Sequence, residues 1–186
     1  PPNPKSPWTS NYRPEVDISP ELGSANAAYF QSLIGVLRWI CELGRVDITM
    51  ETSAMSSMMA LPREGHLDQL CRMFAFLKAK HNGAMVFDPT VPDINDTLFQ
   101  KEEWSATAYS TKREEIPGNM PTPRGVGFLM RAFVDSDHAG DLITRRSRTG
   151  FIIFLNSAPI YWNSKKQGSV ETSSFGSEFM ALKNCC

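Results

Sequence analysis

The apolar positions of the chain change their period twice. From Ser24 onwards, Leu33, Val36, Leu37 and Ile40 recur at i, i+3, i+4 and i+7, the spacing of one helix face. Ser24 or Asn26 is available as a cap, and Gly44 is placed to end that helix. A second helix is expected from about Asp47 to Ala60, burying Ile48, Met55, Met58 and Met59. It ends before Pro62, because proline disfavours helix in the residue preceding it. A third is expected from about Gly65 to Lys80 on Leu67, Leu70, Cys71, Phe74 and Leu77, with Lys78, Lys80 and His81 near Gly83 complementing the helix dipole. Three helices joined by short turns close a small bundle over residues 24–82.

The flanks read differently. Residues 1–23 are rich in Pro, Ser and Asn, with Trp8 and Tyr12 among them, which suits an extended linker that docks by its aromatics. Residues 83–124 begin with a short strand-like run, Ala84-Met85-Val86-Phe87. They then lose periodicity and collect Pro89, Pro92, Pro117, Pro121 and Pro123, with Trp104 and Tyr109 as anchors for a short helical turn. A connection that long argues for a boundary.

After Gly125 the pattern is that of strands: Phe128 to Asp135, Thr149 to Leu155 and Pro159 to Ser164. Asn156-Ser157-Ala158 makes a tight turn that pairs the last two as an antiparallel hairpin, and helix follows from about Phe175. The fold class expected is therefore α+β, a three-helix bundle followed by a sheet-and-helix unit over residues 125–186.

Composition narrows the function more than the fold. The chain has 186 residues, room for one domain or two small ones, and a hydrophobic fraction of 41% supports a core. A net charge of −1 excludes a uniformly basic nucleic-acid coat, so any polyanion contact rests on local clusters. Cys41, Cys71, Cys185 and Cys186 show no CxxC pairing or zinc-knuckle spacing and read as reduced thiols, the first two core-like. The Cys185-Cys186 end has no CaaX box and reads as the last turn of a helix. No apolar signal core and no stretch near the ~18 residues of a membrane span occur, so an intracellular, cytoplasmic or nuclear protein without membrane contact is expected.

Two carboxylates carry the candidate chemistry. Asp135 ends an apolar strand and Glu178 lies in the first turns of a helix, and a pair converging from a strand and a helix can hold a divalent cation. A two-metal nuclease site needs more oxygen ligands than two side chains, so the chain reads as half of an active site. The run Asp135-Ser136-Asp137-His138-Ala139-Gly140-Asp141 is the densest group of oxygen ligands, but its glycine is misplaced for an EF-hand. Such a strand end is more often a turn whose side chains cap their own backbone, with His138 at the surface. Arg145, Arg146 and Arg148 precede the second strand and Lys165 and Lys166 close the third, so the hairpin brings both runs to one end. Phosphate contact and a solvated hairpin end are equally consistent with that placement.

Four segments, Phe133-Val134-Asp135-Ser136-Asp137-His138-Ala139-Gly140-Asp141, Arg146-Ser147-Arg148-Thr149-Gly150, Trp162-Asn163-Ser164-Lys165-Lys166-Gln167 and Ser173-Ser174-Phe175-Gly176-Ser177-Glu178-Phe179, resemble in order the ribonuclease H region of Ty1/copia-type retrotransposon Pol polyproteins. Upstream, Tyr29 to Leu37, Gly44 to Ile48, Pro62 to Leu67 and Phe76-Leu77-Lys78 resemble the helical thumb of the reverse transcriptase in the same polyproteins. The resemblance implies that Asp135 and Glu178 are catalytic and ligate Mg²⁺ or Mn²⁺ for hydrolysis of the RNA strand of an RNA–DNA hybrid. It also implies that 125–186 is the first part of a ribonuclease-H-like domain. The polymerase Tyr-x-Asp-Asp motif and the later ribonuclease acids have no counterpart in this sequence, so hydrolysis by this chain alone is not expected. The expected partners are nucleic acid, above all the hybrid, the remainder of the polyprotein, and a second copy through an incomplete sheet. The alternatives are a non-catalytic nucleic-acid-binding remnant, whose affinity would fall steeply with salt, and a domesticated interaction protein.

Overall fold

The computed structural model describes residues 3–94, 117–121 and 127–186. Among the described residues it is an α+β structure of four α-helices and one three-stranded antiparallel sheet. The first helix, α1, spans Ser24–Glu42 and buries Phe30, Ile34, Leu37 and Cys41. This stripe is rotated from the one the apolar spacing suggested: Val36 is 47% exposed, while Leu33 and Ile40 flank the core. Phe30 and Cys41, just outside the four positions that set the expected phase, decide it. Gly44 stops the helix in a backbone conformation at φ 124° that L side chains rarely adopt.

The second helix, α2, runs from Thr49 to Ser56 behind a 3₁₀ turn at Val46–Ile48, shorter than the expected span to Ala60. Ile48 and Met55 are fully buried, and Met58 and Met59 pack on the core from the turn that follows. The third, α3, covers Glu64–Ala79 and buries Leu70, Met73 and Phe76 together with His66 and Gln69. Cys71 is exposed, contrary to the expected core thiol, because it lies about 100° around the helix from Leu70, which takes the core position.

The two buried polar residues of α3 explain how the N-terminal segment docks. Gln69 Nε2 donates to the Pro7 carbonyl at 2.9 Å, and its Oε1 accepts from Thr9 N at 3.3 Å. His66 Nδ1 accepts from Arg63 N at 3.0 Å, which leaves the proton on Nε2 to donate to the Pro14 carbonyl at 2.9 Å. Trp8 and Tyr12 pack against the helical core, the docking by aromatics that their presence in a Pro-rich linker suggested.

The sheet has β1 (Met130–Ser136), β2 (Arg148–Leu155) and β3 (Ala158–Lys166) in the order β1-β2-β3. Asp135 stands opposite Gly150, which faces Ser164, and Phe133 opposite Ile152, which faces Trp162. Asn156, at φ 55°, turns the β2–β3 hairpin as its sequence proposed, and a register shift at Ile153/Phe154 bends it. The run Ala84 to Phe87 forms no strand. Trp104 and Tyr109, and most of the expected connection, lie outside the described residues.

The last helix, α4 (Ser174–Cys185), is capped by Ser173, whose hydroxyl accepts from Gly176 N at 3.1 Å. Ser177 and Ala181 are fully buried and let the helix approach β1 and β2 closely. Gln167 Nε2 bonds both Ser177 O (2.9 Å) and Thr149 Oγ1 (3.1 Å). Since Thr149 alternates with Gly150, α4 covers the face of the sheet away from Asp135. The Asp135 face meets the helices instead: Trp162 Nε1 donates to the Cys41 carbonyl at 3.1 Å and Arg148 to Ser53 Oγ at 2.6 Å. Among the described residues no helix is long and apolar enough to cross a membrane.

Candidate functional site

A cavity of about 840 Å³ lies between the Asp135 face of the sheet, α2 and the docked N-terminal segment. Its size falls in the roughly 300–1,000 Å³ range of ligand pockets. Trp8, Tyr12, Met58, Phe133, Ile152 and Trp162 supply its apolar walls. Strand alternation explains the sheet contribution, because Phe133, Asp135, Ile152 and Trp162 share one side of the pleat. The charged groups around it balance: Arg13, Arg146, Arg148 and Lys166 against Glu15, Asp135, Asp137 and Asp141. Four against four gives no net positive field to draw a polyanion into the cavity.

The acidic loop after β1 is braced from within. Asp137 Oδ1 accepts from Arg148 N, and Asp137 N donates to Arg148 O at 3.2 Å. Asp141 Oδ1 accepts from Ile143 N and Thr144 N at 3.1 and 2.7 Å, while its Oδ2 receives Lys166 Nζ at 2.5 Å. Ala139 N donates to the buried Ser147 hydroxyl at 3.0 Å. Burial pushes the Asp141 carboxyl up, but the Lys166 ammonium and Thr144 outweigh it and hold the group down to about 2. These carboxylates thus cap their own loop, and His138 is exposed.

The two expected catalytic carboxylates sit on different elements, Asp135 on β1 and Glu178 on α4. Asp135 is exposed and lines the cavity, whereas Glu178 is exposed on α4, across the sheet, and does not line it. No group of three or more His, Cys, Asp or Glu side chains is arranged to hold a metal among the described residues. Asp137 and Asp141 are engaged within the loop, and Asp135 is the β1 carboxylate that lines the cavity.

The five basic candidates divide in two. Arg148 is half-buried on Ser53, where burial lowers the affinity of its guanidinium for the proton, and Lys166 is held by Asp141. Arg145, Arg146 and Lys165 are exposed. The residues that the sequence reading missed are the buried polar bridges His66, Gln69 and Gln167, each on or beside an apolar stripe where side-chain type alone does not distinguish core from surface.

Beside Tyr12, a second polar knot closes the N-terminal side. Tyr12 Oη donates to Asp17 Oδ2 at 2.7 Å, and Ser19 N and Oγ donate to Asp17 Oδ1 at 2.8 and 2.5 Å. Burial, and then the bond to Asp17, push the Tyr12 phenol well up. Burial pushes Asp17 up too, but the bonds from Ser19 and Tyr12 win and leave it below its ordinary value.

Retrovirus-related Pol polyproteins of transposons are among the proteins to which the chain is similar. That of transposon RE1 from Arabidopsis thaliana is 26% identical over 155 residues, which is 83% of this chain and 8% of the polyprotein. An uncharacterized mitochondrial protein of the same plant is 29% identical over 82% of this chain and 49% of its own length. Secreted RxLR effector protein 161 of Plasmopara viticola is 24% identical over 82% of this chain and 83% of its own length. The chain thus spans a small part of the polyproteins and about half of the mitochondrial relative. No family model matches the chain. No solved structure matches it either.

Proposed function

We propose that this chain is a segment of a copia-type retrotransposon Pol polyprotein, comprising a thumb-like helical unit and the first part of a ribonuclease-H-like unit, without hydrolytic activity of its own. The coarser half of this reading rests on the similarity to transposon Pol polyproteins over most of the chain. The finer half rests on one coincidence of motif and element. The motif containing Asp135 falls on β1, Arg146 to Gly150 opens β2, Trp162 to Gln167 closes β3, and Ser173 to Glu178 caps and opens α4.

The residues themselves support the lack of autonomous chemistry. Asp135 lines the cavity and Glu178 does not, and no group of three or more His, Cys, Asp or Glu side chains gathers to hold a metal among the described residues, whereas charge stabilisation at the phosphate is the main source of acceleration in such hydrolysis. In the intact polyprotein, on this reading, further strands and acids complete the site, and a bound divalent cation would supply charge neutralisation at the phosphate. Arg145, Arg146 and Lys165 are the exposed cations left for the nucleic-acid backbone, on the intracellular route that reverse transcription implies.

The test is an RNA–DNA hybrid cleavage assay with Mg²⁺ or Mn²⁺ on the full chain, run beside Asp135→Asn and Glu178→Gln. The expected outcome is no cleavage by any of the three, with weak hybrid binding that falls steeply as salt rises. Cleavage lost in both variants would overturn the inactive reading, and binding indifferent to salt would overturn the nucleic-acid role.

A further inference from the structure

The outer edge of β1 is complementary to itself. β1 ends the sheet order, so among the described residues one side of its backbone has no neighbouring strand. Two bonds fix which backbone groups the sheet already uses: Asp137 N donates to Arg148 O at 3.2 Å, and Asn156 N to Leu129 O at 2.7 Å. Antiparallel alternation then turns the N–H and C=O of Arg131, Phe133 and Asp135 towards β2. It turns those of Met130, Ala132, Val134 and Ser136 outward. The edge is open to solvent, with Met130 66% and Phe133 56% exposed.

We propose that two copies of the chain pair antiparallel along this edge, about a two-fold axis between Phe133 and its symmetry mate. Ala132 then exchanges both backbone hydrogen bonds with Val134 of the second copy, and Met130 does so with Ser136, which uses all the outward groups. Arg131 stands opposite Asp135 of the second copy, twice. These are non-hydrogen-bonded pair positions, where opposed side chains come closest. Moving the axis one residue either way sets Phe133 against Asp135 or against Arg131; the first of these turns Arg131 to Asp137, whose carboxylate already accepts from Arg148 N, so the charge pattern favours the stated register.

The Arg131 guanidinium lies over the Phe133 and Phe154 rings at 5.9 and 5.6 Å and donates to the Asn156 carbonyl at 2.9 Å, so it leans over β2 and turns to the outer edge on pairing. Its Nε is buried without a hydrogen-bond partner. Asp135 takes part in no ion pair among the described residues. The product is a continuous six-stranded sheet with β1 of each copy at its centre and both α4 helices on one side, the isologous form of a closed dimer. It removes an exposed apolar strand edge, which soluble proteins otherwise blunt or cover. The inference is drawn from the strand and concerns this chain by itself; in the intact polyprotein of the proposed reading, the further strands that complete the site compete for the same sheet.

Sedimentation of the full chain over a range of concentrations tests it. The expected species is a dimer of a 20.8 kDa chain that weakens on dilution. Arg131→Asp and Asp135→Arg each turn two ion pairs into two like-charge contacts and should weaken the dimer roughly tenfold or more. An equimolar mixture of the two variants should dimerise again, since each then carries the charges that the other lacks. A chain monomeric at every concentration would overturn the proposal, as would single variants that dimerise like the parent or a mixture that stays monomeric. Hydrogen exchange on the unsubstituted chain gives a second reading that needs no variant. The Ala132 and Val134 amides should gain protection with concentration, and protection that ignores concentration would also sink the pairing.

Discussion

The Asp141 carboxylate receives the Lys166 ammonium on one oxygen and two backbone N–H groups on the other, so its charge is worth more folded than unfolded. Its folded value of about 2 lies below the ordinary 3.8. A depressed carboxyl contributes stability that is fully present above the unfolded value and is lost as pH falls through the folded one. Replacement by Asn should therefore cost about 1 kcal/mol at neutral pH, after allowance for solvent screening. The difference from the parent should vanish as pH falls from 3.8 to about 2. Urea unfolding of Asp141→Asn and the parent across that window checks it, and a gap that persists at the acid end would refute it. At the same scale Gly65 is held to glycine by crowding, because a Cβ there would lie 2.1 Å from Asp17 Oδ2.

Helix ends are where single elements are most easily tuned. Ser173 caps α4 with its hydroxyl, whereas Gly23 begins α1 with no side-chain cap and with nothing within 4 Å of where its Cβ would stand. Ser173→Ala should cost about 1 kcal/mol, while Gly23→Ser, whose φ of −62° suits any L residue, should gain a few tenths. Thermal unfolding of the two variants should move in opposite directions; a shift of the same sign in both would refute the capping account. The helices also show how far periodicity reads burial. It located α1 and α3 to within a residue or two at most ends, but it picked Val36 and Cys71, both exposed, as core. Neighbouring positions on an apolar flank differ by about 100° of rotation, and only the partner surface decides which faces inward.

At the scale of the molecule, the sheet and the helical unit are fastened through Trp162 to the Cys41 carbonyl and Arg148 to Ser53, with the cavity left between them. Trp162→Ala removes both a hydrogen bond and part of the cavity wall and should cost about 2 kcal/mol, less than a fully buried aromatic because Trp162 is only partly enclosed. Hydrogen exchange should show the loss in α1 near Cys41 as well as in β3; a loss confined to β3 would mean that the two units open independently.

The sequence by itself determined the four helices, the three strands of the sheet, their order and the α+β class, though not the absence of a strand at Ala84 to Phe87, because helix and strand periods, the Asn156 turn and the Ser173 cap are local properties of the chain. Over most of its length it also carried a similarity to transposon Pol polyproteins. Tertiary structure alone decided which charges remain available. Asp137, Asp141, Arg148 and Lys166 look equivalent to Asp135, Arg145, Arg146 and Lys165 along the chain, yet the first four brace the loop and the sheet while the second four face solvent. Which face of the sheet α4 covers was likewise settled by Gln167, Thr149 and Ser177 packing across it. A carboxylate's partners are chosen by distances through space, and residues far apart in sequence set those distances.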